Sequence, residues 1–152
     1  MELTATRDIA APRDQVWAAL NSAEVLRDCI PGCEEMTGSP QDGFAAVVKQ
    51  KIGPVRATFK GAVTLSDVIA GESYRISGEG KGGVAGFAKG AATVELADSD
   101  SGGTTLSYHV DASVGGKLAQ LGSRLIDGAA RRIADEFFER LQTRLETGSI
   151  DA

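Results

Sequence analysis

Three groups of residues in this sequence have the types and spacing that could do chemistry. Cys29 and Cys33 stand four apart across the turn Ile30-Pro31-Gly32. Two thiols so placed could share a metal, but a zinc site takes four ligands, and the only histidine, His109, lies far along the chain. Two reduced thiols beside a turn is the favoured reading, and no metal is implied. The run Gly78-Glu79-Gly80-Lys81-Gly82-Gly83 fits G-x-G-x-x-G. A dinucleotide fingerprint needs a parallel strand before it and a helix opening on its last glycine, whereas here another antiparallel strand is expected to follow. It is no phosphate loop either, since Lys81 is followed by Gly82 and not by Ser or Thr. His109, Glu79, Glu95 and Asp111 all take outward parity on predicted strands, and no Ser, Cys or Lys has a base at motif spacing. No catalytic residue is assigned. Tyr74 and Tyr108 point inward; either a hydroxyl there donates to a ligand carbonyl, or both are buried tyrosines satisfied by backbone.

The elements that carry these residues follow from hydrophobic periodicity. Glu2 to Ile9 alternates, with Leu3, Ala5 and Ile9 on one face, which means a half-buried strand. Pro12 opens a short helix with Val16, Trp17 and Leu20 inward, and a second runs from about Ser22 to Cys29 before Pro31-Gly32 stops it. Strands are then expected at 34–39, 44–52, 55–65, 73–80, 87–96 and 104–114, joined by turns such as Pro40 to Gly43 and Gly53-Pro54. After Gly115-Gly116 the period changes. Leu118, Leu121, Leu125, Ala129, Ile133, Phe137, Leu141 and Leu145 recur at spacings of three and four, predicting one long helix of about 45 Å. Phe137 and Leu141 are expected to bury against Val63, Leu65 and Val110. The result is an α+β helix-grip fold, a curved antiparallel sheet of about seven strands around a C-terminal helix, with two short helices between the first and second strands.

Composition narrows the function. The 152 residues suit one domain, here 1–147, with a frayed end at 148–152. A net charge of −5, without any dense Lys/Arg block, argues against a nucleic-acid partner. No apolar run approaches the roughly 18 residues of a bilayer span. The N-terminus lacks the apolar region of a secretory signal, so a cytoplasmic location is expected.

The element order is that of the START or Bet v 1-like superfamily, and Ala11-Pro12-Arg13-Asp14-Gln15-Val16-Trp17 resembles its opening helix. Three stretches sharpen the match: Val25 to Cys33, Gly78 to Gly90 and Val114 to Ile126. Together they resemble the CoxG family of carbon monoxide dehydrogenase components across about Met1 to Leu145. The resemblance implies an accessory protein and not a catalytic subunit. It implies as partners the catalytic subunits of a molybdenum hydroxylase, with peripheral contact at the inner face of the cell membrane and a link towards respiratory quinone. Longer members of that family continue into a linker and a membrane-active tail; this sequence ends at Ala152, and anchoring by such a tail is not expected of it.

Glycines weaken strands and leave space beneath them, and 19 of them exceed the average share of about 7%. The cluster from Gly78 to Gly90 is expected to form a mobile hairpin at the rim of a cavity. Phe59, Tyr74, Phe87, Tyr108, Leu118, Leu121, Gly122 and Leu125 are the candidate lining of an apolar pocket, with Gly122 in its wall. A quinone- or lipid-like molecule is the expected ligand, and no tightly bound cofactor is expected. Two alternatives remain open at this point: a cyclase- or hydratase-type enzyme on the same fold, and an adaptor with a filled core.

Overall fold

The structure is a computed structural model and describes residues 1–147. The expected frayed end, 148–152, lies outside the described residues. Strand β1 (Glu2–Ile9) is followed by helices α1 (Arg13–Leu20) and α2 (Ala23–Cys29). Six strands come next: β2 (Cys33–Ser39), β3 (Gly43–Ile52), β4 (Val55–Ile69), β5 (Ser73–Lys81), β6 (Phe87–Asp98) and β7 (Thr104–Gly115). Helix α3 spans Ser123–Glu146. All neighbouring strands are antiparallel, in the order β1-β7-β6-β5-β4-β3-β2.

Local chemistry explains the helical elements between β1 and β2. Pro12, at φ −60°, caps α1, and its carbonyl accepts from the amides of Gln15 and Val16. Ser22 caps α2, its hydroxyl accepting from the Val25 amide at 3.3 Å. Residue Ile30 is extended, as a residue before proline prefers, and α2 ends there.

The helix after β7 differs from the sequence expectation. Gly116–Leu121 forms a 3-10 segment, and α3 begins only after Gly122, whose φ of +89° lies outside the helical region. That backbone angle is open to glycine and strained for other residues. The remaining 24 residues of α3 span about 36 Å. The inward stripe also differs. Ile126, Phe138, Leu141 and Leu145 are buried, while Phe137 is half-buried and Leu125 is 38% exposed. A stripe written in steps of four drifts, because each step overshoots a turn by about 40°. From Leu125 to Leu141 the drift reaches about 160°, so the two leucines face opposite ways. The aromatic anchor is therefore Phe138, not Phe137. Its ring meets Tyr108 edge-on at 5.1 Å, and the Arg7 guanidinium sits 5.3 Å from its centre.

The core is concentrated at one end of the sheet. Ile9, Val16, Leu20, Val25, Tyr74, Leu96, Leu106, Phe138, Leu141 and Leu145 form one cluster, in which α1, α2 and the end of α3 cover the strands. Thr104, fully buried there, donates its hydroxyl to the Ala11 carbonyl at 2.8 Å. The other end holds the β3–β4 and β5–β6 turns, the 3-10 segments Gly83–Ala85 and Gly116–Leu121, and the start of α3. It buries far less: Ala85, Leu118 and Ile126 are its buried apolar side chains.

Candidate functional site

The weakly packed end is shaped by the residues that the sheet turns towards α3. Strand register aligns Ala46, Gly61, Gly80 and Ala88 in one row across β3, β4, β5 and β6, with Val114 of β7 beside them. The adjacent row, Phe44, Val63, Gly78, Gly90 and Ala112, is nearly as small at its centre. Four neighbouring strands thus present almost no side chain to the helix. On the helix, Ala130 is small, Ile126 is the buried apolar side chain of this end, and Ala134 packs against the core at the other. Around this floor Val48, Phe59, Val63, Val110 and Val114 are only half-buried, although they face inward. These rows leave little side-chain bulk on the sheet near the glycine-rich end, a candidate hollow, and Tyr108 and Phe138 pack edge-on beyond it.

Two kinds of glycine build it. A Cβ at Gly78 would lie 2.4 Å from the Ala62 carbonyl oxygen, and one at Gly90 would lie 2.4 Å from that of Asp111. Those glycines let adjacent backbones crowd where the sheet curves. A Cβ at Gly80 would meet nothing nearer than 3.9 Å. Space, not curvature, distinguishes that position.

The eight pocket residues expected from the sequence fall in several places. Phe59 belongs to the hollow's rim, its ring lying against the Gly82 backbone. Leu118 is buried at the mouth of the hollow, beside the 3-10 turn that carries Ala85. Tyr108 packs edge-on to Phe138 beyond the candidate hollow. Tyr74 lies deeper in the packed core, edge-on to Trp17 at 5.3 Å, and burial pushes its phenol well above its ordinary pKa. Phe87 pairs with Lys81 and Gly115, on the opposite face of β6 from Ala88 and Gly90, and its ring covers Gly115 and stays 40% exposed. It marks the outside of the rim. Gly122 is the joint before α3, with nothing within 4 Å of where its Cβ would be. Leu121 and Leu125 share a separate open groove of about 510 Å3 with Ile52, Gly53, Gly128 and Ala129, edged by Lys51, Arg124 and Arg132.

Other candidates stay apart from this site. On the outer face, His109 shares a hydrogen bond with Thr4 through Nδ1 (2.7 Å) and stands 3.6 Å from Glu2 through Nε2. Burial pushes both the Cys29 and the Cys33 thiol up, and the Cys33 Sγ donates to the Glu35 carbonyl. Among the described residues no three His, Cys, Asp or Glu side chains gather as a metal site would require. One inward polar group is not evident from the strand and leucine patterns. Asp127 lies on α3 in line with Ala134, Phe138 and Leu145, at separations that return to the same helix face. Its Oδ1 is buried and has no hydrogen-bond partner.

The helix-grip arrangement agrees with what is found among known proteins. The family model of CoxG, a carbon monoxide dehydrogenase component, matches residues 6–146. The chain belongs to this family. It is a family of accessory subunits. No curated protein matches the sequence. Among solved structures, a conserved protein from Geobacillus kaustophilus is similar at TM-score 0.90 and 24% identity, over 97% of this chain and 96% of that one. A START superfamily protein from Mycobacterium smegmatis is similar at TM-score 0.70 and 16% identity, over 96% and 97% of the two chains. A protein from Rhizobium leguminosarum is similar at TM-score 0.73 and 17% identity, over 97% and 95%. These likenesses establish the helix-grip fold of the CoxG chain. No helix among the described residues is long and apolar enough to cross a membrane.

Proposed function

We propose that this CoxG protein is a carrier: it holds an apolar quinone- or lipid-like molecule in the hollow beneath α3 and serves the catalytic subunits of a molybdenum hydroxylase at the membrane surface. The observation that carries the reading is the row Ala46, Gly61, Gly80 and Ala88, four small residues side by side on the inner face of the sheet. A core selected only for stability would fill that space, since each unfilled methyl-sized void costs on the order of 1 kcal/mol. Binding sites for small apolar molecules are concave, apolar and largely pre-formed, and a row of small apolar residues on a curved sheet supports such a site.

The surface around the mouth supports the membrane part of the proposal. Val84, 85% exposed, and Phe87 project at the β5–β6 tip between Lys81 and Lys89. With Lys51, Arg124 and Arg132 on the neighbouring groove, this end is basic although the whole chain is acidic. An apolar tip ringed by cations suits a surface of anionic lipid, from which an apolar molecule could pass into the hollow.

Affinity of the parent and of Gly80→Val for a decyl-benzoquinone, followed by tryptophan fluorescence or calorimetry, tests the carrier. A Cβ at Gly80 would make ordinary van der Waals contacts at 3.9 Å with Gly61 and Phe59 and no clash, so the Gly80→Val variant should fold and melt within a few degrees of the parent while losing at least tenfold in affinity. Gly78→Ala is the control, because its methyl meets a carbonyl oxygen at 2.4 Å and should destabilise by about 1–3 kcal/mol. A parent that binds neither the quinone nor an extracted lipid, or a Gly80→Val variant with undiminished affinity, would overturn the proposal.

A further inference from the structure

An amphipathic helix keeps most charges off the face it buries; on α3 Arg144 is tied to Asp28 and Glu24, whereas Asp127 has no such pairing. Asp127 stands on the same side as Ala134, Phe138, Leu141 and Leu145, facing the sheet. The residue is half-buried; its Oδ1 is shielded from solvent and receives no hydrogen bond. A buried carboxylate oxygen without a donor is costly, and native structures rarely keep one without use. Asn21 also has a buried unpartnered oxygen, but its amide nitrogen is tied to the Trp17 carbonyl at 2.8 Å, and it lies at the end of α1. Asp127 has no such tie, and helix periodicity puts it on the side of Ala130 and Ala134.

We infer that Asp127 is a specificity-determining residue that receives a hydrogen bond from the head of the bound molecule. The inference rests on the carrier reading and narrows its ligand class. A carboxylate only accepts hydrogen bonds, and a quinone head offers only acceptor oxygens. The two would repel. A quinol, a phenol or a lipid alcohol brings the hydroxyl donor that Asp127 lacks. The hollow therefore selects molecules that pair an apolar body with a hydroxyl, and of a quinone couple it prefers the reduced member. The row residues Ala46, Gly61, Gly80, Ala88 and Val114 carry no side-chain donor, and the Tyr108 hydroxyl at the inner end both donates and accepts, so the preference is set by Asp127.

The test uses two probes of one shape, 4-decylphenol and its methyl ether, which differ only in the donor and need no redox control. The parent should bind the phenol at least about tenfold more tightly, as expected of a hydrogen bond to a charged acceptor. Asp127→Ala should lose that preference. Asp127→Asn brings an amide that can donate, and it should bind decyl-benzoquinone more tightly than the parent does. Neither variant removes a bond from the fold, so both should melt no lower than the parent. Equal affinity of the parent for phenol and ether, or a preference that survives in Asp127→Ala, would overturn the inference while the carrier stands. Failure of the parent to bind any of the three probes would overturn the carrier reading and this inference with it.

Discussion

Replacing Phe138 with alanine should be among the most damaging single changes in the protein, and more damaging than the same change at Phe137. Phe138 is 7% exposed, at the point where α3 leaves the hollow and enters the packed core. Large-to-small changes of a buried phenylalanine cost about 3–5 kcal/mol. The edge-on contacts with Tyr108 at 5.1 Å and Phe137 at 5.0 Å, each worth about 0.5–1.5 kcal/mol, place Phe138→Ala in the upper part of that range. Phe137 keeps the contact with Phe138 but is only half-buried, so its truncation should cost about half as much. Urea denaturation followed by circular dichroism gives both values from midpoints and slopes. A domain of this size has roughly 5–15 kcal/mol to lose, and Phe138→Ala leaves little margin at the lower limit. Phe138→Leu retains most of the volume and should remain measurable at a loss of about 1–2 kcal/mol. Equal losses at the two positions, or a larger one at Phe137, would refute the placement of the inward face of α3.

Two further outcomes follow from charged and titrating groups. The Arg144 guanidinium donates to Asp28 at 2.5 Å and holds its carboxyl below the ordinary 3.8, with Arg27 adding to the effect. A depressed folded pKa gives stability that is present above the unfolded pKa and lost as pH falls through the folded one. Asp28→Asn should therefore be modestly less stable than the parent at neutral pH, with the gap closing below about pH 4 in acid titrations of the melting temperature. The thiols should resist alkylation. Burial raises both above the ordinary 9.0, so at pH 8 a maleimide or disulfide reagent should label Cys29 only on unfolding and Cys33 slowly; rapid labelling of Cys29 in the native protein would contradict its burial.

Most of the fold was legible because period-two alternation and turn chemistry are local signals. Strands from Glu2–Ile9 to Thr104–Gly115 formed where alternation indicated them, and Pro12, Ser22 and Pro31 bounded the short helices. The break at Gly122 was not legible, since Leu118, Leu121 and Leu125 are spaced as well for a 3-10 segment followed by a helix as for one helix. A φ of +89° is a fact of three-dimensional closure at that joint. The parity of Phe87 could have been read correctly: it is one residue from Ala88, and neighbours on a strand face opposite ways.

The arrangement of the candidate site was less legible than the fold, for one physical reason. A sequence shows which positions are small, but not which small positions stand opposite one another. Register across four strands turns scattered Ala46, Gly61, Gly80 and Ala88 into one floor, and no local pattern contains that register. The same limit hid Asp127. Following leucines in steps of four placed Leu125 inward and left Asp127 unremarked. The alternation of four and three that holds a helix face, Asp127, Ala130, Ala134, Phe138, Leu141 and Leu145, puts the carboxylate in line with the buried stripe. A charged residue in such a stripe is itself a signal, because burial makes it expensive unless something meets it. In this chain the apolar side chains close one end of the domain, and the residues that break the rules of a good core, four small ones in a row and one acid, are what the carrier proposal rests on.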